Sequence, residues 1–137
     1  MGLKDFFKFK KWVPDLTREP PVKADWPGHI ITLNKKKFDE FIDKYPLSIV
    51  DFWAPWCQPC KTIAPKIRQL SKTYKGKVAF GKLNVDNHKE ISKRFHVLAI
   101  PNLTFFSYGE KITNITGVRS FNEIQNKIED ILAQFKR

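Results

Sequence analysis

Leu47-Ser48-Ile49-Val50-Asp51-Phe52-Trp53-Ala54-Pro55-Trp56-Cys57-Gln58-Pro59-Cys60 is the stretch whose reading decides the fold. From Leu47 to Trp53 the run is nearly continuous in apolar residues, as a central strand buried on both faces should be. It gives way to a helix just where two cysteines appear, and the chain of 137 residues has no others. Their spacing lets the first turn of a helix bring the sulfurs within disulfide reach, whereas a longer gap would need a loop to fold back. At a helix N-terminus Cys57 faces unsatisfied backbone N–H groups and the positive end of the macrodipole, both of which favour the reactive thiolate. Cys60 lies one turn further in, where the helix should bury it against the sheet. It therefore suits the resolving role, and only Cys57 is expected to be alkylated readily.

Two other readings stand beside a redox dithiol: a structural disulfide, and half of a zinc site. A bridge closing so short a loop would remove little entropy from the unfolded chain. Zinc needs about four ligands, and His29, His88 and His96 come with no second cysteine pair. Pro59 between the sulfurs also stiffens a turn that a metal loop would not need.

Working outward, the pattern alternates between strand and helix periods. Ile30 to Leu33 reads as a short strand, and Asn34 caps a helix through Lys44 that buries Phe38, Phe41 and Ile42. After the central strand, a helix from about Cys57 to Lys75 carries Ile63, Ile67, Leu70 and Tyr74 on one face. Val78 to Val85 is the next strand, and Asn87 with Glu90 forms a capping box for a helix ending near Phe95. Leu103 to Ser107 and Lys111 to Thr116 make a hairpin about Tyr108-Gly109, and Ser120 with Glu123 caps a last helix carrying Ile124, Ile128, Ile131 and Phe135. This order predicts an α/β fold, a central mixed sheet flanked by helices on both faces.

The first 28 residues read differently. Four prolines lie between Val13 and Gly28, and no apolar period runs through them, so this part reads as an extended linker. Before it, Leu3, Phe6 and Phe7 share one helical face while Lys4, Lys8 and Lys11 take the other. Terminal segments more commonly pack back on the domain or stay disordered, and that is the leading expectation here; docking of this short basic amphipathic segment on an anionic membrane or a partner is the alternative. The expected organisation is thus an N-terminal extension, residues 1–28, followed by one domain, residues 29–137.

A net charge of +11 raises the question of a nucleic-acid partner, but the lysines are scattered and no nucleic-acid motif accompanies them, so none is expected. No run of about 18 apolar residues exists, and lysines break the N-terminal stretch before it could serve as a signal-peptide apolar region. Cysteines confined to one redox pair fit a reducing compartment, so the cytoplasm is expected, with peripheral membrane contact as a variant of it.

Val50-Asp51-Phe52-Trp53-Ala54-Pro55-Trp56-Cys57-Gln58-Pro59-Cys60-Lys61 closely resembles the active-site signature of the thioredoxin family, with Gln58 where glycine is usual. The resemblance continues through Ala64-Pro65, Lys82-Leu83-Asn84-Val85-Asp86, Ile100-Pro101, Tyr108-Gly109-Glu110 and Gly117, and covers His29 to the C-terminus. It implies a thioredoxin fold and a thiol–disulfide oxidoreductase that reduces protein disulfides, with Cys57 as nucleophile and Cys60 as resolving thiol. It also implies a cis proline at Pro101 facing the dithiol, and strand-like pairing of substrate with the backbone at Ile100. Trp56, Ile100, Pro101, Gly117 and Val118 would form the docking surface.

Asp51, a carboxylate amid an apolar strand, is costly unless it is paired or its pKa is raised by desolvation. By resemblance it is the buried acid beneath Cys60 that takes that thiol's proton, with Lys82 on the neighbouring strand as its charge partner. Gln58 and Pro59 tune the reduction potential, and the retained Pro59 favours a reducing bias. Asn102, where the family usually has threonine, is expected to bear on substrate choice. No bound cofactor is implied, and since the chain has no glycine-rich dinucleotide fingerprint its electrons are expected from a separate reductase. The alternatives are a specialised oxidant or isomerase, a membrane-docked reductase serving one client, or a non-catalytic interaction module.

Overall fold

The computed structural model describes residues 25–135. The elements come in the expected order: β1 (Ile31–Thr32), α1 (Lys35–Lys44), β2 (Ser48–Trp53), α2 (Gln58–Thr73), β3 (Ala79–Asn84), α3 (Lys89–Arg94), β4 (Asn102–Ser107), β5 (Glu110–Thr116) and α4 (Phe121–Gln134). The strands form one five-stranded sheet in the order β1-β3-β2-β4-β5. β2 runs parallel to β3 and antiparallel to β4, and β5 pairs antiparallel with β4. The α2 crossover returns the chain parallel and the tight hairpin between β4 and β5 returns it antiparallel; the connection through α3 brings β4 in antiparallel to β2, and this makes the sheet mixed. Tyr108 and Gly109 have φ of +44° and +86°, and positive φ at both central residues is what a two-residue hairpin turn of type I′ requires.

β2 is the middle strand, and its alternation sorts the core into two layers. Ile49 joins Ile63, Ile67 and Leu70 of α2 and Ile124 and Ile128 of α4 on one face. Val50 and Phe52 join Phe38 and Ile42 of α1 and Ile91 of α3 on the other. Period two places Asp51 on the face of Ile49, the one α2 covers. This is why a strand that reads as apolar throughout can carry one carboxylate towards the helix bearing the cysteines.

The caps divide. Asn34 Oδ1 accepts from Lys37 N–H at 2.9 Å and starts α1; Ser120 Oγ accepts from Glu123 N–H at 3.1 Å and starts α4. The capping box expected of Asn87 and Glu90 does not form. α3 starts one residue later, with His88 as its N-cap and no side-chain bond there; the His88 carbonyl takes the N–H groups of Ile91 and Ser92.

The amphipathic segment expected near the N-terminus lies outside the described residues. The end of the expected linker does not behave as one: Trp26 is buried in the α1 layer, with its ring 4.9 Å from that of Tyr45, and Tyr45 Oη donates to Asp25 O at 3.0 Å. An isolated tryptophan between prolines has no period to announce that it packs. Among the described residues no helix is long and apolar enough to cross a membrane.

Candidate active site

The cysteine pair forms at the junction of β2 and α2. Cys57 N–H donates to Ala54 O at 3.1 Å, closing the turn, and Cys57 O accepts from Lys61 N–H at 3.3 Å. Cys57 is the N-cap of α2, with φ −88° and ψ 104°. Pro59 stands in the first turn, where its missing N–H leaves no intrahelical bond undone. Gln58 is exposed at the first helical position.

Cys57 and Cys60 are joined in a disulfide, their Cα atoms 5.3 Å apart. The expected difference in burial is not present in this oxidised pair: Cys57 is 4% exposed and Cys60 3%. The asymmetry lies in hydrogen bonding instead. Cys57 Sγ accepts from the backbone N–H of Cys60 at 3.2 Å, so an otherwise orphaned donor of the helix start points at that sulfur. On reduction the same donor and the helix dipole would favour a thiolate at Cys57.

Asp51 is 7% exposed, and its Oδ1 is buried without a hydrogen-bond partner among the described residues. Burial pushes its carboxyl up to about 7, with the positive charge of Lys82 acting against the rise. Asp51, Ala64, Arg68 and Lys82 line one cleft of about 280 Å³. Lys82 is the register partner of Asp51 across the β2–β3 pair, yet the two form no salt bridge among the described residues. Lys82 Nζ instead lies 5.5 Å from the centre of the Trp53 ring. The expected charge partnership is therefore a field acting at a distance; the long apolar stem of the lysine lets its ammonium sit over an aromatic face rather than follow the carboxylate inward.

In the loop before β4, the Ile100–Pro101 peptide is cis. Pro101 is buried, and its carbonyl accepts from Gly117 N–H at 2.8 Å, which ties the turn carrying Gly117 and Val118 to this loop. Gly117 has φ +88°, a region glycine adopts without steric cost. Ile100 packs against the cluster of Ala54, Cys57 and Cys60, and it shares a groove of about 320 Å³ with Trp56, Val85 and Leu98. Trp56 is exposed, and its indole Nε1–H is shared by the two carboxylate oxygens of Asp86, at 3.0 and 3.3 Å. Asn102, expected to bear on substrate choice, is buried, and its Oδ1 accepts from Thr104 Oγ1 at 2.8 Å.

Two residues here escaped the sequence reading. Asp86 stood within the matching stretch with no role attached, and its link to Trp56 spans thirty positions. Leu98 sits in an aperiodic segment before Pro101, where an apolar residue carries no sign of facing in or out. Among the described residues, no group of three or more His, Cys, Asp or Glu is placed to hold a metal ion.

The sequence profile of the Thioredoxin family matches residues 29–130. The chloroplast M-type thioredoxin of Spinacia oleracea is 39% identical over 102 residues, which are 74% of this chain and 56% of that protein. A thioredoxin of Alicyclobacillus acidocaldarius is 31% identical over 102 residues, 74% of this chain and 97% of that protein. The chain thus spans about half the length of the plant relative and nearly all of the bacterial one. Among solved structures, Malassezia sympodialis thioredoxin superposes with a TM-score of 0.70 at 29% identity, covering 76% of this chain and 94% of the other. The profile runs from before β1 into α4 and takes in both cysteines and Pro101; the chain belongs to the thioredoxin family of thiol–disulfide oxidoreductases.

Proposed function

We propose that this protein reduces disulfides in other proteins and is itself reduced again by a separate reductase. Cys57 thiolate attacks a substrate disulfide, forming a Cys57–substrate bond and releasing one substrate thiolate. Cys60 then gives its proton to Asp51 and attacks Cys57 Sγ; the Cys57–substrate bond breaks, the second substrate sulfur leaves as a thiolate that takes the proton back from Asp51, and the Cys57–Cys60 disulfide remains. Two electrons pass from the dithiol to the substrate, and the reductase returns them. The observation that carries the reading is Cys57 as N-cap of α2, disulfide-bonded to Cys60 and already holding the Cys60 N–H. Asp51, with its carboxyl near 7, supports the proton step, because an acceptor is most effective when its pKa lies near the working pH.

Trp56, Ile100, Pro101, Gly117 and Val118 are proposed to receive an extended segment of the substrate, and Gln58 and Pro59 to set the potential, with a reducing bias. Cysteines confined to the redox pair support a cytoplasmic setting. Turnover of a disulfide-bonded protein with reductase and NADPH tests the reading: the parent should reduce it and Cys57→Ser should not. Equal rates, or an inactive parent, would remove it. Docking of residues 1–28 on an anionic membrane is a separate proposal resting on their basic amphipathic pattern, and equal liposome sedimentation with and without them would dismiss it.

A further inference from the structure

Large apolar side chains in solvent are not scattered over this domain. Among the described residues they are Trp56 at 70% exposed, Leu98 at 95% and Val118 at 40%, and each adjoins a segment described above at the cysteine pair or the Pro101 loop. Trp56 directly precedes Cys57. Val118 follows the glycine bonded to Pro101 O. Leu98 lies two residues before Ile100 and extends the groove that Trp56, Val85, Val97, Ala99 and Ile100 complete.

Leu98 has no part in holding the fold. Val97 and Ile100 pack against the α1 layer of the core, whereas Leu98 belongs to neither layer. A single exposed leucine needs no explanation; one that prolongs an apolar groove beside the reacting sulfurs does. Every side chain lining that groove is apolar, and the carboxylate nearest in the chain to its walls, Asp86, already accepts the Trp56 N–H. A charged or strongly polar side chain laid there would meet no side-chain partner among the lining residues, whereas an apolar one would gain contact with all of them.

We propose that Leu98 is a specificity-determining residue of the exchange site, selecting substrate segments with a large apolar side chain close to the attacked cysteine, on the Trp56 side. The occupant is an extended segment of a disulfide-bonded protein, because the groove is continuous through Ile100 with the cluster around Cys57 and Cys60. This rests on the disulfide-reductase reading above. Burying one leucine-sized side chain in an apolar pocket discriminates by about tenfold or more in kcat/KM.

The test uses the full chain and disulfide-bonded peptides in which leucine or serine is placed in turn at each position near the attacked cysteine. The parent should prefer leucine by about tenfold at one position on one side. Leu98→Ser should bring that ratio close to one, and Leu98→Met should keep it. A preference unchanged in Leu98→Ser, or no preference at any position, overturns the proposal. Concentration-dependent self-association lost in Leu98→Ser, with no peptide preference, overturns it too and assigns the groove to a second copy of the chain. A parent that reduces none of the peptides is a different failure, that of the reductase reading itself.

Discussion

Replacing Asp51 by Asn should make the oxidised protein more stable, and the gain should depend on pH. Burial raises the carboxyl from 3.8 to about 7. Below about pH 4 both folded and unfolded chains carry the proton, and this group adds nothing to the pH dependence. As pH rises from about 4 to 7, the unfolded chain ionises while the folded chain keeps its proton, so the folded state binds more protons and stability falls with pH. Above about 7 the folded group ionises as well and the loss levels off. Raising the carboxyl from 3.8 to about 7 corresponds to about 4 kcal/mol at full extent. Urea unfolding of parent and Asp51→Asn across this window should show the variant's advantage growing by up to about 4 kcal/mol between about pH 4 and pH 8. Taking the difference between two pH values cancels any packing effect of the amide. An advantage that stays constant with pH, or shrinks as pH rises, would refute a buried carboxyl held near 7.

Two changes probe the frame that positions the site. Gly81→Ala would put a Cβ 2.7 Å from Leu33 Cδ1 and 3.1 Å from Phe41 Cε1, so overpacking between β3 and α1 should cost about 1–3 kcal/mol in denaturant unfolding; an unchanged midpoint would show that this layer has room. Ser120→Ala removes the acceptor for Glu123 N–H and should cost about 1 kcal/mol, with Ser120→Asn, another strong capping residue, close to the parent in the same assay.

The sequence carried the element order because each period was long enough to see: Phe38, Phe41 and Ile42 mark one helix face, Ile124, Ile128 and Ile131 another, and all six are buried. The junction at Cys57 was legible for a related reason, since strand, turn and helix start all fall within one stretch. What stayed hidden depends on distant partners. Trp26 packs on Tyr45 across a gap without any period, and Asp86 reaches Trp56 from another loop. The Lys82 ammonium turns to Trp53 rather than Asp51, a choice made by side-chain reach and solvent that no spacing records. The α3 cap failed because a one-residue shift in the helix start removes a box that pattern alone allows.

The central claim is that Cys57 is the attacking sulfur and Cys60 the one that releases the product. Reduced Cys60→Ser mixed with a disulfide-bonded protein, then examined by mass spectrometry without added thiol, tests it most directly. The account predicts a stable mixed disulfide between Cys57 and the substrate, and no such adduct in the matching Cys57→Ser protein, because the backbone N–H at the start of α2 points at the sulfur of Cys57 and not at that of Cys60. An adduct that forms on Cys60 in Cys57→Ser, with none in Cys60→Ser, would contradict it.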